Sequence, residues 1–149
     1  MNVIIRNGLK ADVPAIMGLV KELAIYEKAE NEVSNTIQQM EIDGFGENPI
    51  FQFIVAELNG EVIGMSLYYF RYSTWKGKRL YLEDYIITEK YRGIGAGKLL
   101  FDATIDQAHK TNCTGMMWQV LDWNEPAINF YKKYPTRFDA EWFNCHLDF

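Results

Sequence analysis

Three closely spaced glycines lie in the segment YRGIGAGK at positions 91–98, after a β-branched run and before a helical pattern. The first N–H groups of a helix have no intrahelical partner, and glycine, which has no Cβ, lets a ligand approach them closely. The segment therefore predicts a cradle for a phosphate or pyrophosphate group. A turn that only eases the packing of the helix on the strand is the alternative.

The spacing of these glycines disfavours two common nucleotide-binding motifs. A Walker A loop has four residues between its glycines and Ser or Thr after the lysine, whereas Gly93 and Gly97 enclose three residues and Leu99 follows Lys98. A dinucleotide fingerprint needs another glycine three residues after Gly95, where Lys98 stands. The turn is therefore not expected to bind a nucleoside triphosphate or NAD.

Charge and composition limit the kinds of partner that the protein is expected to bind. Fifteen Lys and Arg residues against twenty Asp and Glu residues give this 149-residue chain a net charge of −5, the wrong sign for neutralising nucleic-acid phosphates. Cys113 and Cys145 lack ligand spacing, so we expect two free, buried thiols and no metal. Neither a secretion signal nor an apolar run approaching ~20 residues is evident, so we expect a cytoplasmic protein without membrane contact.

The elements that must position the glycines form a mixed sheet with helices on its faces. Asn59-Gly60 joins two β-rich runs and predicts a hairpin, and Asp12, two residues before Pro14, is expected to cap an amphipathic helix. Strands are predicted at 3–5, 51–58, 61–70, 79–88, 116–121 and 141–149. Helices are predicted at 13–24, from 34 to just before 43, at 98–110 and from 125 onward.

The glycine turn, Asn124 and the INFY residues at 128–131 resemble the GCN5-related N-acetyltransferase (GNAT) superfamily. Further blocks resemble its diamine (spermidine/spermine) acetyltransferase branch and the related thialysine acetyltransferases. These blocks are DGFG at 43–46, YYF at 68–70, YSTWKG at 72–77, YLED at 81–84 and LDWNEP at 121–126. The resemblance extends from about Ile4 to Phe143.

The resemblance implies a single α+β N-acetyltransferase domain over 1–149, with a GNAT-like mixed, mostly antiparallel sheet flanked by helices. It also implies direct transfer from acetyl-CoA to a primary amine of a small diamine, polyamine or thialysine-like substrate, and a homodimer. A non-catalytic acyl-CoA-binding regulatory protein and a protein or peptide N-acetyltransferase are the alternatives.

Two catalytic roles follow from the resemblance. Tyr131 matches the tyrosine that protonates the departing thiolate, and a phenol with a pKa of ~10 is a plausible acid for a thiol with a pKa of ~8.5. Glu83 matches the carboxylate that removes the ammonium proton through water. Tyr131 could instead only pack against Phe130, and Glu83 could face solvent or pair with Arg79.

The resemblance also assigns binding residues. Pantetheine amides are expected to pair with backbone at the end of the third long strand, and phosphates to meet the glycine turn. Cofactor binding is assigned to Tyr85, Ile86, Ile87, Arg92, Gly93, Ile94, Gly95, Ala96, Gly97, Lys98, Asn124, Tyr131 and Lys133. Substrate binding is assigned to Tyr26, Glu27, Trp75, Glu83 and Asp84. Asn124 could also simply cap the helix that follows it.

Charge placement fits an amine substrate, since an acidic rim attracts cations. The polyamine-preferring members of the resembled branch carry an acidic residue before the loop tryptophan. This chain has Ser73-Thr74 there instead, as the thialysine-type members do. The acidic run consists of Glu22, Glu27, Glu30, Glu32, Glu41, Asp43 and Glu47, against Lys28 alone. Such a run is also common on a solvated helix face.

Overall fold

A computed structural model describes residues 2–149 of the chain. It contains one five-stranded sheet with the strand order β1-β2-β3-β4-β5. The strands are β1 (Ile4–Asn7), β2 (Gln52–Leu58), β3 (Glu61–Ser73), β4 (Gly77–Ile87) and β5 (Gly115–Trp118). The first four are antiparallel neighbours and β5 is parallel to β4. The helices are α1 (Val13–Tyr26), α2 (Ile37–Phe45), α3 (Ala96–Lys110) and α4 (Glu125–Tyr131).

Helices cover both faces of the sheet, which confirms the predicted mixed, mostly antiparallel sheet flanked by helices. On one face, α1 and Met40 of α2 pack on β2, β3 and the end of β4 around Val55, Met65 and Ile86. On the other face, α3 packs through Ala96 and Leu100. The chain divides after Gln119 into two compact units.

The predicted hairpin is confirmed. Asn59 and Gly60 have φ values of 51° and 80° between β2 and β3. Positive φ at both central residues gives the turn the twist that adjacent antiparallel strands require. This places β3, and with it β4, in one continuous meander.

Several predicted elements differ in the structure. Asp12 occupies the N-cap position of α1, but its side chain makes no cap hydrogen bond. Its carboxylate accepts from the Leu9 N–H at 2.7 Å and from Arg6, six residues earlier, at 2.8 Å, and these bonds take the place of the cap. The second helix begins after Thr36, whose hydroxyl accepts from the Gln39 N–H, rather than at Ser34. It also continues through Asp43 to Phe45, one turn further than predicted.

The predicted strand at 141–149 is wrong. The residues alternate in polarity, yet no strand is assigned there, and Trp142 and Phe143 are 75% and 94% exposed. Alternation specifies which face of a strand would be buried but supplies no hydrogen-bonding neighbour. The expected burial of both thiols is also wrong, because Cys145 lies exposed in this segment and Cys113 is only half-buried in the turn after α3. Across residues 2–149, no helix combines the length and apolarity that crossing a membrane demands.

Candidate active site

A register shift in the β3–β4 ladder brings two consecutive carboxylates to one face of the sheet. Leu67 pairs with Asp84, but the next residue, Tyr68, pairs with Leu82, so Glu83 is the extra residue of a β-bulge. In a regular strand, neighbouring side chains point to opposite faces. The bulge breaks that alternation, and both Glu83 and Asp84 line the same cavity.

This carboxylate cavity, as we call it, has a volume of about 210 Å³ and opens beside α1, α2, β3 and β4. Its apolar lining consists of Met17, Val20, Met40, Ile50, Phe51 and Leu67. Its polar lining consists of Asn35, Asp43, Glu83 and Asp84. Among the described residues, none that lines it is Lys or Arg, so every charged group it presents is an acid.

Asp84 is the carboxylate most affected by the cavity. Burial, followed by the negative charges of Glu83 and Glu27, raises the pKa of Asp84 to about 6. Burial also raises the pKa of Glu27, at the C-terminal end of α1. Glu27 lies outside the cavity lining but adds to the negative charge near Asp84, so these acids gain from binding a cation, which offsets both desolvation and mutual repulsion.

A neighbouring strand, β3, orients the Glu83 carboxylate through a hydrogen bond. The Tyr69 hydroxyl donates to Glu83 Oε1 at 2.9 Å, and the Tyr69 ring lies against Tyr81 with 5.3 Å between centroids. Burial and the adjacent Glu83 charge raise the pKa of Tyr69, so this hydroxyl stays a donor. The alternative pairing with Arg79 is wrong, because Arg79 donates to the Met116 carbonyl at 3.3 Å, whereas Glu83 is exposed to solvent, as the other alternative held.

Two other predicted substrate residues lie elsewhere in the first unit. Trp75 is 86% exposed in the β3–β4 turn. The Tyr26 ring lies under the guanidinium group of Arg92, with 5.8 Å from Cζ to the ring centroid. Neither residue lines the carboxylate cavity.

Sequence reasoning assigned no role to two residues at this site, Asn35 and Tyr69, and it placed Asp43 only in the acidic run. Tyr69 and Asp43 fall within motifs that carried the family resemblance, but nothing local showed that they meet Glu83 or its cavity. The bulge that turns Glu83 toward Tyr69 depends on the pairing of β3 with β4, which no single segment encodes.

The glycine turn, residues 92–98, adopts the backbone that its sequence predicts. Gly93 and Gly95 have φ values of 83° and 86°, and Gly95 is the residue that precedes α3. A Cβ added to either would meet nothing within 4 Å. The space beside both glycines is open to a ligand, and the first N–H groups of a 15-residue helix follow them. This arrangement fits an anionic phosphate group.

Other predicted cofactor residues have structural partners of their own. The Tyr85 hydroxyl donates to the Gly97 carbonyl at 2.6 Å, and a Cβ on Gly97 would lie 2.9 Å from that hydroxyl oxygen. Gly97 therefore permits close helix–strand packing, as the alternative interpretation of the turn held. Lys98 pairs with Asp102 one helical turn away at 2.5 Å. Ala96 is buried, and Ile94 packs partly buried against the α3 side of the core.

The β4–β5 ladder ends early. Its last pair is Leu82 with Trp118, and β4 continues through Ile86 and Ile87 for five residues beyond it. Ile86 and Ile87 bury their side chains on opposite faces of the sheet. Only their backbone is therefore available to a ligand, which is the mode of binding that the resemblance implies for the pantetheine arm.

The second unit carries the remaining predicted residues. The Asn124 side chain accepts from the Ala127 N–H at 3.4 Å, which confirms its role as the cap of α4. Tyr131 is buried at the last position of α4, with its ring 5.7 Å from that of Phe130. Lys133 lies two residues beyond Tyr131, with its ammonium 5.9 Å from the Phe130 ring centroid.

Known proteins resemble this chain in sequence and in fold. The model of the acetyltransferase (GNAT) family matches residues 19–134. Thialysine N-epsilon-acetyltransferase of Bos taurus is 38% identical over 153 residues, covering 96% of this chain and 90% of that protein. Spermidine/spermine N(1)-acetyltransferase-like protein 1 of Homo sapiens is 37% identical over 134 residues, covering 85% of this chain and 19% of that protein.

A solved aminoglycoside acetyltransferase from an uncultured soil metagenomic sample superposes with a TM-score of 0.80 at 17% identity, covering 98% of this chain and 97% of that one. That likeness concerns the fold. Among residues 2–149, no three His, Cys, Asp or Glu side chains are grouped as metal ligands would be. With the family match spanning most of the chain, the protein belongs to the acetyltransferase (GNAT) family, and the prediction of an amine N-acetyltransferase is confirmed.

Proposed function

We propose that the protein transfers the acetyl group of acetyl-CoA to one amino group of a short diamine or polyamine. The observation that carries the proposal is the pair of adjacent carboxylates, the exposed Glu83 and the half-buried Asp84, which line one cavity with a mostly apolar wall. Acids in such a place bind a cation and can take its proton, which are the two tasks that acetylation of an amine requires.

The lining of the cavity favours an amine without a carboxylate over a thialysine-like amino acid. Methylene groups can lie against Met17, Met40 and Leu67, while an ammonium group meets Asp84. A second ammonium group can meet Asp43, which lines the same cavity. The α-carboxylate of an amino acid would meet only acids among the charged lining residues and would be repelled.

Glu83 acts as the base that prepares the amine. Removing a proton from an alkylammonium group with a pKa of ~10.4 at pH 7 costs roughly 4.6 kcal/mol, so a base close to the nitrogen is needed. The proton passes to Glu83 Oε2, directly or through a water molecule, because Oε1 already accepts from Tyr69. The Tyr69 hydrogen bond thus orients the carboxylate for this task.

The glycine turn and the end of β4 hold the cosubstrate in this proposal. Acetyl-CoA supplies an acetyl thioester whose carbonyl carbon accepts the amine nitrogen as the C–S bond breaks. The N–H groups that follow Gly93 and Gly95 bind phosphate oxygens, and backbone at Ile86 and Ile87 aligns the pantetheine arm. The Tyr131 hydroxyl gives its proton to the departing sulfur, and Asn124 and Lys133 contribute to binding of the cosubstrate.

The test is a release assay for the free thiol, run with the full chain, acetyl-CoA and a panel of amines. We expect butane-1,4-diamine and spermidine to exceed thialysine in kcat/KM by about tenfold, the factor for ~1.4 kcal/mol of differential binding. Peptides that outcompete every free amine would replace this proposal with a protein acetyltransferase. Coenzyme A binding without turnover of any amine would indicate a regulatory protein.

Direct transfer and a homodimer belong to the same proposal. Cys145 is exposed and Cys113 half-buried, so an acetyl group carried on either thiol would be visible in the intact mass after incubation with acetyl-CoA alone. A stable adduct would overturn direct transfer. Light scattering at micromolar protein tests the homodimer, which a fully active monomer would exclude. We also propose that the protein acts in the cytoplasm.

A further inference from the structure

A single carboxylate on α1 contacts three residues of the segment that leads into the glycine turn. Glu22 Oε1 accepts from the Thr88 hydroxyl at 2.6 Å, and Glu22 Oε2 accepts from the Glu89 N–H at 3.2 Å. Glu22 Oε2 also lies 3.8 Å from Arg92 Nη2. Thr88 follows β4 directly and Arg92 is the first residue of the glycine turn, so Glu22 spans the whole connection.

The Arg92 side chain contacts three residues of the protein. Its Nε donates to the Ile87 carbonyl at 2.9 Å, its Nη2 faces Glu22, and its guanidinium lies over the Tyr26 ring. Tyr26 and Glu22 are four residues apart on α1 and therefore share one helix face. Two side chains of α1 thus fix the position of the residue at which the glycine turn begins.

We propose that Glu22 is a positioning residue that sets the conformation of the glycine turn and thereby the affinity for coenzyme A. This rests on the proposed function in taking coenzyme A as the ligand of the turn. It also reassigns Glu22, which sequence reasoning placed in an acidic rim that attracts amines. Glu22 is not among the residues that line the carboxylate cavity.

The sign of the effect separates positioning from plain electrostatics. Coenzyme A is an anion, so removing a nearby negative charge would strengthen its binding if charge alone mattered. It would also release Arg92 to meet a phosphate. If Glu22 instead positions the turn, Glu22→Gln weakens binding, since one of the two accepting carboxylate oxygens is replaced by an NH2 group, which only donates.

The experiment is calorimetric titration of coenzyme A into the full-length wild-type chain and its variants. We expect Glu22→Gln to raise Kd about tenfold, and Thr88→Val, which changes no charge, to raise it in the same direction. The effects of the two substitutions should not add in the double variant, since both break the same hydrogen bond, between Thr88 and Glu22. Glu32→Gln, an exposed acid of the same acidic run, is the matched control and should leave Kd within twofold.

Steady-state kinetics provide the second measurement. Glu22→Gln should raise KM for acetyl-CoA while KM for the amine stays near its wild-type value, a division that a general loss of stability would not produce. Unchanged or tighter coenzyme A binding by Glu22→Gln overturns the positioning role and leaves the transferase proposal intact. The expected loss of binding in a chain that acetylates no amine supports the positioning role and overturns the proposed reaction.

Discussion

The carboxylate cavity and the glycine turn handle charge in opposite ways. In the cavity, Asp84 is half-buried near Glu83 and Glu27, so its charge is unfavourable, and most of the lining is apolar. In the glycine turn, charged side chains are partnered, Arg92 with Glu22 and Lys98 with Asp102, and backbone is left for the ligand. The first region should therefore respond to side-chain chemistry and the second to backbone conformation.

The largest effect on the rate is expected for substitution of Tyr131, because neither the cavity nor the glycine turn is assigned the proton that the leaving thiolate needs. The cavity holds bases and the turn holds N–H donors, so the proton for the leaving thiolate is assigned to Tyr131. Tyr131→Phe should lower kcat by about 10²–10⁴ while the affinity for acetyl-CoA stays nearly unchanged. Tyr134→Phe, three residues further on, is the matched control and should keep wild-type kcat. An unchanged kcat where chemistry limits the rate would reduce Tyr131 to a packing residue.

Glu83→Gln probes the chemistry of the cavity itself. We expect the rate at pH 7 to fall by about 10²-fold, the lower range for general base catalysis. The rate should recover partly as the pH approaches the pKa of the free amine. Recovery follows because solvent then removes the proton that Glu83 takes at neutral pH. The pH profile of kcat/KM checks this, with Glu47→Gln as the exposed control. A loss that is equal at every pH would contradict the role of Glu83 as base.

Asp84→Asn tests the burial of charge through stability. The folded pKa of about 6 lies above the ordinary value of 3.8, so the folded chain binds more protons than the unfolded chain between those values. Asp84 therefore favours folding at low pH, and this contribution is lost as the pH rises from about 4 to about 6, by about 3 kcal/mol in total.

Chemical denaturation at pH 4 and at pH 7 measures this directly. Asp84→Asn should gain stability relative to the wild type as the pH rises, while the exposed Asp106→Asn on α3 should keep a constant difference. Parallel pH profiles for the Asp84 variant and the wild type would mean that the cavity does not disfavour the charge.

Gly95→Ala tests the backbone of the turn and has the smallest expected effect. At a φ of 86° a Cβ costs about 1 kcal/mol in strain, although it would meet no neighbouring atom within 4 Å. Gly60→Ala is a close control, with a φ of 80° and the same open space in the β2–β3 hairpin. Both should destabilise the fold equally, but only Gly95→Ala should raise KM for acetyl-CoA, by about tenfold. Equal effects on KM would show that the turn is not special.

The sequence by itself determined the features that arise from contiguous residues. Asn59-Gly60 specified its hairpin, the apolar period of α1 specified a helix, and the glycine spacing specified a turn before α3. The same contiguous blocks identified the family. These features depend on backbone preferences that a few neighbouring residues decide, so they need no knowledge of the rest of the chain.

Only the tertiary structure decided how distant residues combine. The bulge that turns Glu83 and Asp84 to one face arises from the pairing of β4 with β3, and Glu22 meets Thr88 across 66 positions of sequence. The alternating residues at 141–149 have the pattern of a strand without becoming one, and Asp12 bonds Arg6 instead of capping α1. Whether such a feature forms depends on the free energy of contacts with other segments, and a local pattern fixes which face a side chain takes but not its partner.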